Sequence, residues 1–522
     1  MRCPVRQRVL PSIFSLNTSI MQNNTFDLDA PLLTFSGGDV LTVKETFEGI
    51  LICGGVGAGK STSSGAALAL RMLAHGYAGL VLTAKPEEAE IFRAYCRATN
   101  REQNLVIVEP GGNEYFNFIE YECAQKFKGV SIRQNVVSLL DTVIGAGQQG
   151  SGIGEDAQFW AQARSMTISS VVGLSLLAYG TVNAQNLYDI AMCAPKEDEG
   201  TVKQDKQPND HYTTAMQLAE KNVQAEVSAF LVNLPPDVYA DLQKKGSLDA
   251  FALKHVANYR TLKQITQFFQ RSYKKLPSKT RSSIEFMVAG FLYQLLSEPF
   301  YSLFCGDTPS TFTPESCLDK GQIVVLNLPT KLHHDTGRAV QIAIKYCFQR
   351  AWEKRDTKTN NRPAFIFADE SPIFLHSLDA DFQATARSSM IATVYLAQNL
   401  PGYFANMGGN AAHHKVKQFL GTLACKIFHS NADADTNKYA SELIGEEKYE
   451  DDTQGVNWGR DVSFSRSSAE RLRHAVRPEE FFLLATGGAR YGFVCEAFIH
   501  RQGAPFSGKA YKKVRFKQSF IN

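Results

Sequence analysis

Long apolar runs are missing from this sequence: no window approaches the ~18 consecutive apolar residues of a membrane-spanning helix. The nearest candidate, MTISSVVGLSLLAYG from Met166, is too short and too rich in serine, and is expected to be a buried helix. Met1 to Met21 carries Arg and Pro through its apolar residues, which argues against a secretory signal. The ten cysteines never reach C-x-x-C spacing and none lies near a histidine ladder. Neither a zinc site nor a disulfide framework is indicated, so reduced thiols are expected. His333 and His334 have no acidic or cysteine partner at ligand spacing and are expected in a loop. No nucleophile arrangement for acyl transfer and no internal repeat is found. Charge of one sign is also lacking: 55 Lys and Arg face 52 Asp and Glu, a net +3, far from a nucleic-acid-coating protein. Any contact with DNA must be local.

What is present is an ordinary globular composition, 44% hydrophobic and 20% charged, in 522 residues, too many for one compact core. At ~100 to 200 residues per domain, two to four domains are expected. Leu32 to Val43 reads as a hairpin turning at SGGD, Ile50 to Cys53 as a buried strand, and Ser61 to Ala74 as a helix. AGLVLTAKPEE gives a second strand, a helix follows from Glu87, and NLVIVEP gives a third strand. Apolar strands alternating with helices predict an α/β fold with a mostly parallel sheet covered on both faces. The middle then turns helical: Val130 to Val143, a flexible loop GAGQQGSGIG from Gly145, a helix Asp156 to Tyr179, a charged connector 195–210, and helices from His211 to Ser297. Strand character returns at GQIVVLNLP, followed by a helix from Gly337 to Lys354, then PAFIFADE, SMIATVYLAQN and ACKIFHSN, and an exposed hairpin in EKYEDDTQGVNWGRDVSFS. The division expected is 1–135 for the first part of the α/β domain, 136–315 for an inserted all-α domain, and 316–522 for the second part of the α/β domain.

The stretch from Gly54 through Gly55, Val56, Gly57, Ala58, Gly59, Lys60 and Ser61 to Thr62 satisfies G-x-x-x-x-G-K-[ST], with an apolar strand before it and a helix after. Glycines let backbone N–H groups curl around phosphate oxygens at a helix N-terminus, Lys60 neutralises the β and γ phosphates, and the Ser61 hydroxyl ligates Mg2+. ATP with Mg2+ is the expected ligand. The acidic complement is AFIFADE, where Asp369 at a strand end can hold the metal shell and Glu370 can orient or deprotonate water. The pair reads as hydrolysis.

From about Ile50 to about Phe506 the sequence resembles the TraG/TraD type IV coupling ATPases, RecA-like relatives of FtsK and HerA. TAKPE (Thr83 to Glu87) fits the family's D-x-K-x-E-like element with Lys85 and Glu87 kept and Thr83 in place of the acid. VEPGGNEYFNFIEY partly matches an Asn-Pro-Leu strand end, with Asn117 kept and Phe118 in place of Pro. DAQFWAQARSMTISSVVGLSL is similar to the Phe-Trp helix opening the family's all-α domain, and GQIVVLNLP to the stretch preceding its acidic strand. ATARSSMIATVYLAQNL places Arg387 and Gln398 in the family's order for an intersubunit arginine and a phosphate-sensing glutamine; KYASELIGEE and RHAVRPEEFFLLATGGARYGFV look like its closing segments. The resemblance implies a RecA-like core with an inserted all-α domain, a homo-oligomeric ring, hexameric in the family, and DNA or a relaxase–DNA complex as cargo for a secretion channel.

Two basic runs are candidate cargo contacts: RSYKKLPSKTR, with Arg271, Lys274, Lys275, Lys279 and Arg281 around Tyr273, and KAYKKVRFK, Lys509 to Lys517, with Tyr511 and Phe516. Basic residues among aromatics can track phosphates and stack bases. The P-loop is reached in about fifty residues without a membrane helix, so a cytoplasmic location, or a peripheral one at the bacterial inner membrane held by membrane-anchored secretion components, is expected. Two other readings are open: a HerA/FtsK-like translocase in DNA processing or phage defence, and an ATP-assembled docking platform that recruits secretion substrates without moving them.

Overall fold

The computed structural model of the protein describes residues 26–126, 129–147, 157–196, 210–407, 412–458 and 462–520. The charged connector lies almost wholly outside these residues, as does the glycine-rich stretch beyond Gly147, where the helix Ile132–Gly147 ends.

The strands, in chain order, are β1 (Pro31–Thr34), β2 (Val40–Thr42), β3 (Ile50–Cys53), β4 (Ala78–Leu82), β5 (Leu105–Val108), β6 (Ile323–Leu326), β7 (Ala364–Ala368), β8 (Ile391–Ala397), β9 (Cys425–His429), β10 (Glu446–Trp458), β11 (Val462–His474), β12 (Val494–Arg501) and β13 (Tyr511–Lys517). β1 and β2 form the expected hairpin, and β10 and β11 form another, with Glu446 opposite His474 and Trp458 opposite Val462. The other nine make one sheet in the order β13-β12-β9-β3-β8-β7-β4-β6-β5. From β9 to β5 every pairing is parallel, and β12 and β13 join antiparallel at one edge. The α/β portions on either side of the helical segment thus share a single sheet, with the P-loop strand between β8 and β9.

Continuous apolar strands are what a sheet covered on both faces requires. Successive residues of β3 alternate between two cores: Leu51 and Cys53 belong to one, Ile50 and Ile52 to the other, and β4 splits Leu80 and Leu82 from Val81 in the same way. Gly79 is needed where it stands, because a Cβ there would meet the Phe365 ring of β7 at 2.3 Å.

Between β5 and β6 the described elements are helices, from Phe118–Ala124 to Pro314–Lys320. The boundaries expected at 135/136 and 315/316 fall inside the helices Ile132–Gly147 and Pro314–Lys320, so the helical insert is wider than the sequence suggests. Helix Ala157–Tyr179 buries Ile168, Val171, Val172 and Leu174, as expected of a core helix. No single helix among the described residues is long and apolar enough to cross a membrane; one pair, Gln158–Tyr179 with Ala184–Met192, passes on length and composition but bends by 115°.

The helix expected from Gly337 begins earlier, at Thr330, and breaks at His334 (φ 46°, ψ −134°). A Cβ at Gly337 would lie 2.6 Å from the His333 Cβ and 2.9 Å from the Leu328 carbonyl, so glycine permits this close return of the chain. The His333 ring packs against Phe300, and among the described residues no cluster of three or more His, Cys, Asp or Glu could hold a metal alone.

Candidate nucleotide-binding site

The carboxyl ends of β3, β7, β8 and β4 open onto one crevice, where α/β sheets place their ligands. β3 leads into the glycine-rich loop, with Gly57 (φ 73°) and Gly59 (φ 79°) in the left-handed region. Gly59 cannot carry a side chain for a second reason: a Cβ would lie 2.3 Å from Cys495 Sγ. The helix after the loop opens with a π-type turn, Ser61–Gly65, before regular α-helix Ala66–Ala74. Its first N–H groups therefore face the crevice, an arrangement suited to an anion. Lys60 is largely buried against the loop, and Val56 at the tip is 86% exposed.

Ser61 Oγ donates to Asp369 Oδ2 at 2.6 Å, joining the two motifs across the sheet. These oxygens fit Mg2+, which takes one or two protein oxygens and completes its shell with water and substrate phosphate. Glu370 follows in the left-handed region (φ 58°), a strained conformation for a non-glycine residue, costing ~1–3 kcal/mol. Its Oε1 accepts from Gln398 Nε2 at 2.7 Å, and the Gln398 carbonyl is held by Asn431 Nδ2 at 2.8 Å. The residues expected to activate water and to sense phosphate are therefore bonded to each other.

Two participants were only partly legible. Lys85 Nζ stands 3.6 Å from Asp369 Oδ2, 3.7 Å from Glu370 Oε1 and 3.9 Å from Glu88 Oε1. Burial pulls its pKa down, but the three carboxylates outweigh burial and raise it. The family-like motif pointed to Glu87, which is exposed; the inward carboxylate is its neighbour Glu88. Glu88 Oε2 accepts from the backbone N–H of Ala84 (2.7 Å) and Lys85 (3.3 Å), while Oε1 has no hydrogen-bond partner. Burial, then the charge of Asp369, pushes its carboxyl up to about 8. A helical stripe shared with buried Phe92 and Tyr95 was the available signal for Glu88. Thr83, at the position of the usual acid, does not face the ligand side: its hydroxyl donates to the Leu326 carbonyl (2.6 Å) and its N–H to Gln341 Oε1 (2.7 Å), tying β4 to its neighbours. Beside the site, a cavity of about 170 Å³ is lined by Ser61, Thr62, Glu88, Tyr95, Asp369 and Phe520 among others.

His429 braces the loop from β9. Its Nε2 bonds Ser64 Oγ at 2.7 Å and its Nδ1 the Glu496 carbonyl at 3.1 Å. Burial lowers its pKa to about 4, so the ring is neutral in the fold and protonates more readily in the unfolded chain. Stability from this group is complete above pH ~6.5 and lost as pH falls toward 4, by up to about 3 kcal/mol. Denaturant titrations across that range should show this slope, and His429→Gln should remove this group's share.

Other candidates lie elsewhere. Arg387 is 72% exposed and pairs with Glu48 at 3.2 Å. It precedes β8 whereas Gln398 follows it, so seven strand residues, roughly 20 Å, separate Arg387 from its own chain's site. Of the first basic run, Arg271, Lys275 and Lys279 are exposed and Lys274 is half-buried. The remaining two members are corrected: Arg281 is 6% exposed and spends its guanidinium on the Lys274 and Leu276 carbonyls, and Tyr273 is buried with its hydroxyl donating to Glu285. A buried arginine that closes its own turn is no DNA contact. The second run ends in β13, and four of its basic residues are met by acids: Lys512 by Asp39, Lys513 and Arg515 by Glu496, and Lys509 by Glu447, while Phe516 is buried.

A P-loop in a mostly parallel sheet, with an acidic strand end separated from it by one strand, defines a RecA-like P-loop fold with an inserted helical segment. Residues 365–485 match the family model described as the TraM recognition site of TraD and TraG. Among solved structures the chain is similar to the bacterial conjugative coupling protein TrwB in an unbound form, with a TM-score of 0.58 and 15% identity over 95% of this chain and 91% of that one. TrwB bound to the ATP analogue ADPNP gives 0.55 and 14%, and TrwB with ADP and Mg2+ gives 0.53 and 13%, each over the same shares. No curated protein matches the sequence. The sequence likeness to TraD and TraG thus covers residues 365–485, and the likeness in fold to TrwB covers nearly the whole chain.

Proposed function

We propose that the protein is an ATP-hydrolysing ring motor of conjugative coupling type, which delivers DNA or a nucleoprotein to a secretion channel. The observation that carries this reading is the pair of hydrogen bonds converging on one crevice, Ser61 to Asp369 and Gln398 to Glu370. TrwB, whose fold the chain shares, has been seen with ADPNP, with a GTP analogue, and with ADP and Mg2+, which supports ATP and Mg2+ as ligands here.

The P-loop N–H groups and Lys60 bind and orient the phosphates; Ser61 and Asp369 would hold the metal, which would neutralise charge on the phosphates. Glu370 takes the proton of the attacking water and Gln398 orients that water. Since Gln398 ends β8 and is tied to Asn431, loss of phosphate is felt by β8 and the segment after β9. That is how hydrolysis becomes displacement.

A ring, hexameric by analogy, would bring a neighbour's Arg387 to the nucleotide; its exposure and distance from its own site agree with a role in trans only. The match to a TraM recognition region favours a relaxosome-type adaptor as partner and coupling over a phage-defence translocase. A membrane partner would hold the ring at the bacterial inner membrane. The test is ATPase activity of the purified protein with and without DNA, together with its assembly state: a monomer without ATPase under both conditions overturns the motor reading. For cargo, Lys275→Glu with Lys279→Glu should weaken DNA binding uniformly across sequences and flatten its salt dependence by about one unit of slope per lost phosphate contact. An unchanged slope removes this run from the DNA path.

A further inference from the structure

The nucleotide reading implies a second half of the ligand, and the Thr62 end of the P-loop is built to receive it. Asp369, Glu370, Gln398 and Lys85 all come from β7, β8 and β4, on one side of β3 in the sheet. They fix the terminal-phosphate end. The helix start beyond Ser61, at Thr62, is left for the rest of the nucleotide.

Two segments meet there. The loop Thr486–Phe493 leads into β12 and the residues Gln518–Phe520 follow β13; the register pairs Val494 with Lys517, so loop and tail are neighbours. Both are bonded to the phosphate loop or to each other. Gln518 Nε2 donates to Thr62 Oγ1 at 2.9 Å, and the Ser519 N–H donates to the Thr62 carbonyl at 2.8 Å. Gln518 also donates its N–H to the Phe493 carbonyl (2.8 Å) and accepts from the Gly488 N–H (2.6 Å).

On this frame stand two phenyl rings, Phe493 and Phe520, 44% and 60% exposed, edge to face with centroids 5.7 Å apart. Phe493 has φ 60°, a left-handed conformation that a bulky residue adopts only when its surroundings impose it. Phe520 also walls the cavity that Ser61, Thr62, Glu88, Tyr95 and Asp369 line. Two exposed aromatic faces, one on a strained backbone and both joined to Thr62 through Gln518 and Ser519, have the chemistry of a stacking surface. We propose that Phe493 and Phe520 form the nucleobase platform of the site, holding a purine by stacking, with Gln518 as the positioning residue that locks the platform to the P-loop.

The experiment is calorimetric binding of ATP, GTP and inorganic tripolyphosphate, each with Mg2+, to the full chain and its variants. Phe520→Ala and Phe493→Ala should each weaken ATP and GTP roughly tenfold and leave tripolyphosphate unchanged, the latter also showing that the P-loop is intact. Phe520→Trp should retain ATP affinity. Wild-type ATP affinity in both alanine variants overturns the proposal, as does an equal loss for tripolyphosphate, which would make the rings supports of the loop. If the wild-type chain binds none of the three, the nucleotide reading itself falls, and the platform with it; binding of tripolyphosphate and ATP with equal affinity leaves the P-loop standing and sinks the platform alone.

Discussion

Glu370→Gln should lower the rate of ATP hydrolysis by about 10² to 10⁴-fold while nucleotide affinity stays within a few-fold of the starting protein. The substitution keeps the shape and the hydrogen-bonding partner but removes the capacity to take a proton. Affinity is expected to hold because the proposed phosphate contacts belong to the loop and Lys60, and the proposed metal contacts to Ser61 and Asp369. The backbone is expected to tolerate the change, since the left-handed turn at Glu370 (φ 58°) is set by the following turn Ser371–Phe374 and by Ser371 Oγ bonded to the Leu396 carbonyl at 3.0 Å. Steady-state turnover with a parallel nucleotide-binding titration checks this. Retention of more than a tenth of the turnover would remove Glu370 from the role of base.

The second large effect is expected behind the site. Lys345 Nζ donates to both Asp379 oxygens (2.8 and 2.7 Å) and to the Phe374 carbonyl (2.7 Å). Asp379 further accepts from Gln349 Nε2 (2.9 Å) and from the His376 N–H (2.7 Å), and Gln349 Oε1 bonds His376 Nε2 (2.9 Å). Lys345, His376 and Asp379 are all buried. This network pins residues 374–379, the chain that leaves Glu370, onto the helix Thr330–Glu353. Lys345→Ala or Asp379→Ala leaves an uncompensated buried charge and should cost about 3–5 kcal/mol, whereas Lys345→Met combined with Asp379→Leu should recover most of that. Denaturant unfolding followed by tryptophan fluorescence, to which buried Trp352 on the same helix contributes, measures it. A single-variant loss below about 1 kcal/mol would mean that water or a rearranged partner satisfies the remaining charge.

Much of the core was legible because its signals are local. Buried parallel strands read as apolar runs, and a P-loop is a contiguous motif whose glycines, lysine and hydroxyl must be adjacent to wrap a phosphate. Errors arose where a residue's neighbour in space decides its role. Glu87 and Glu88 are indistinguishable as types, and the start of the helix Glu88–Ala98 turns only the second inward. In the first basic run, Arg281 and Tyr273 look like their neighbours in composition, yet both point into the helical core and satisfy carbonyl and carboxylate partners there.

By itself the sequence determined the α/β class, the P-loop and the acidic strand end, because hydrophobic period and motif adjacency are properties of the chain alone. Only the tertiary structure decided which strands flank β3, and hence that Ser61 meets Asp369 across 308 residues of sequence. It alone placed Lys85 among three carboxylates, sent Arg387 to the far end of β8, and folded the tail from Gln518 to Phe520 against Thr62. The physical reason is the same in each case: these are long-range contacts, chosen by how the sheet's faces pack rather than by any local preference of the residues that make them.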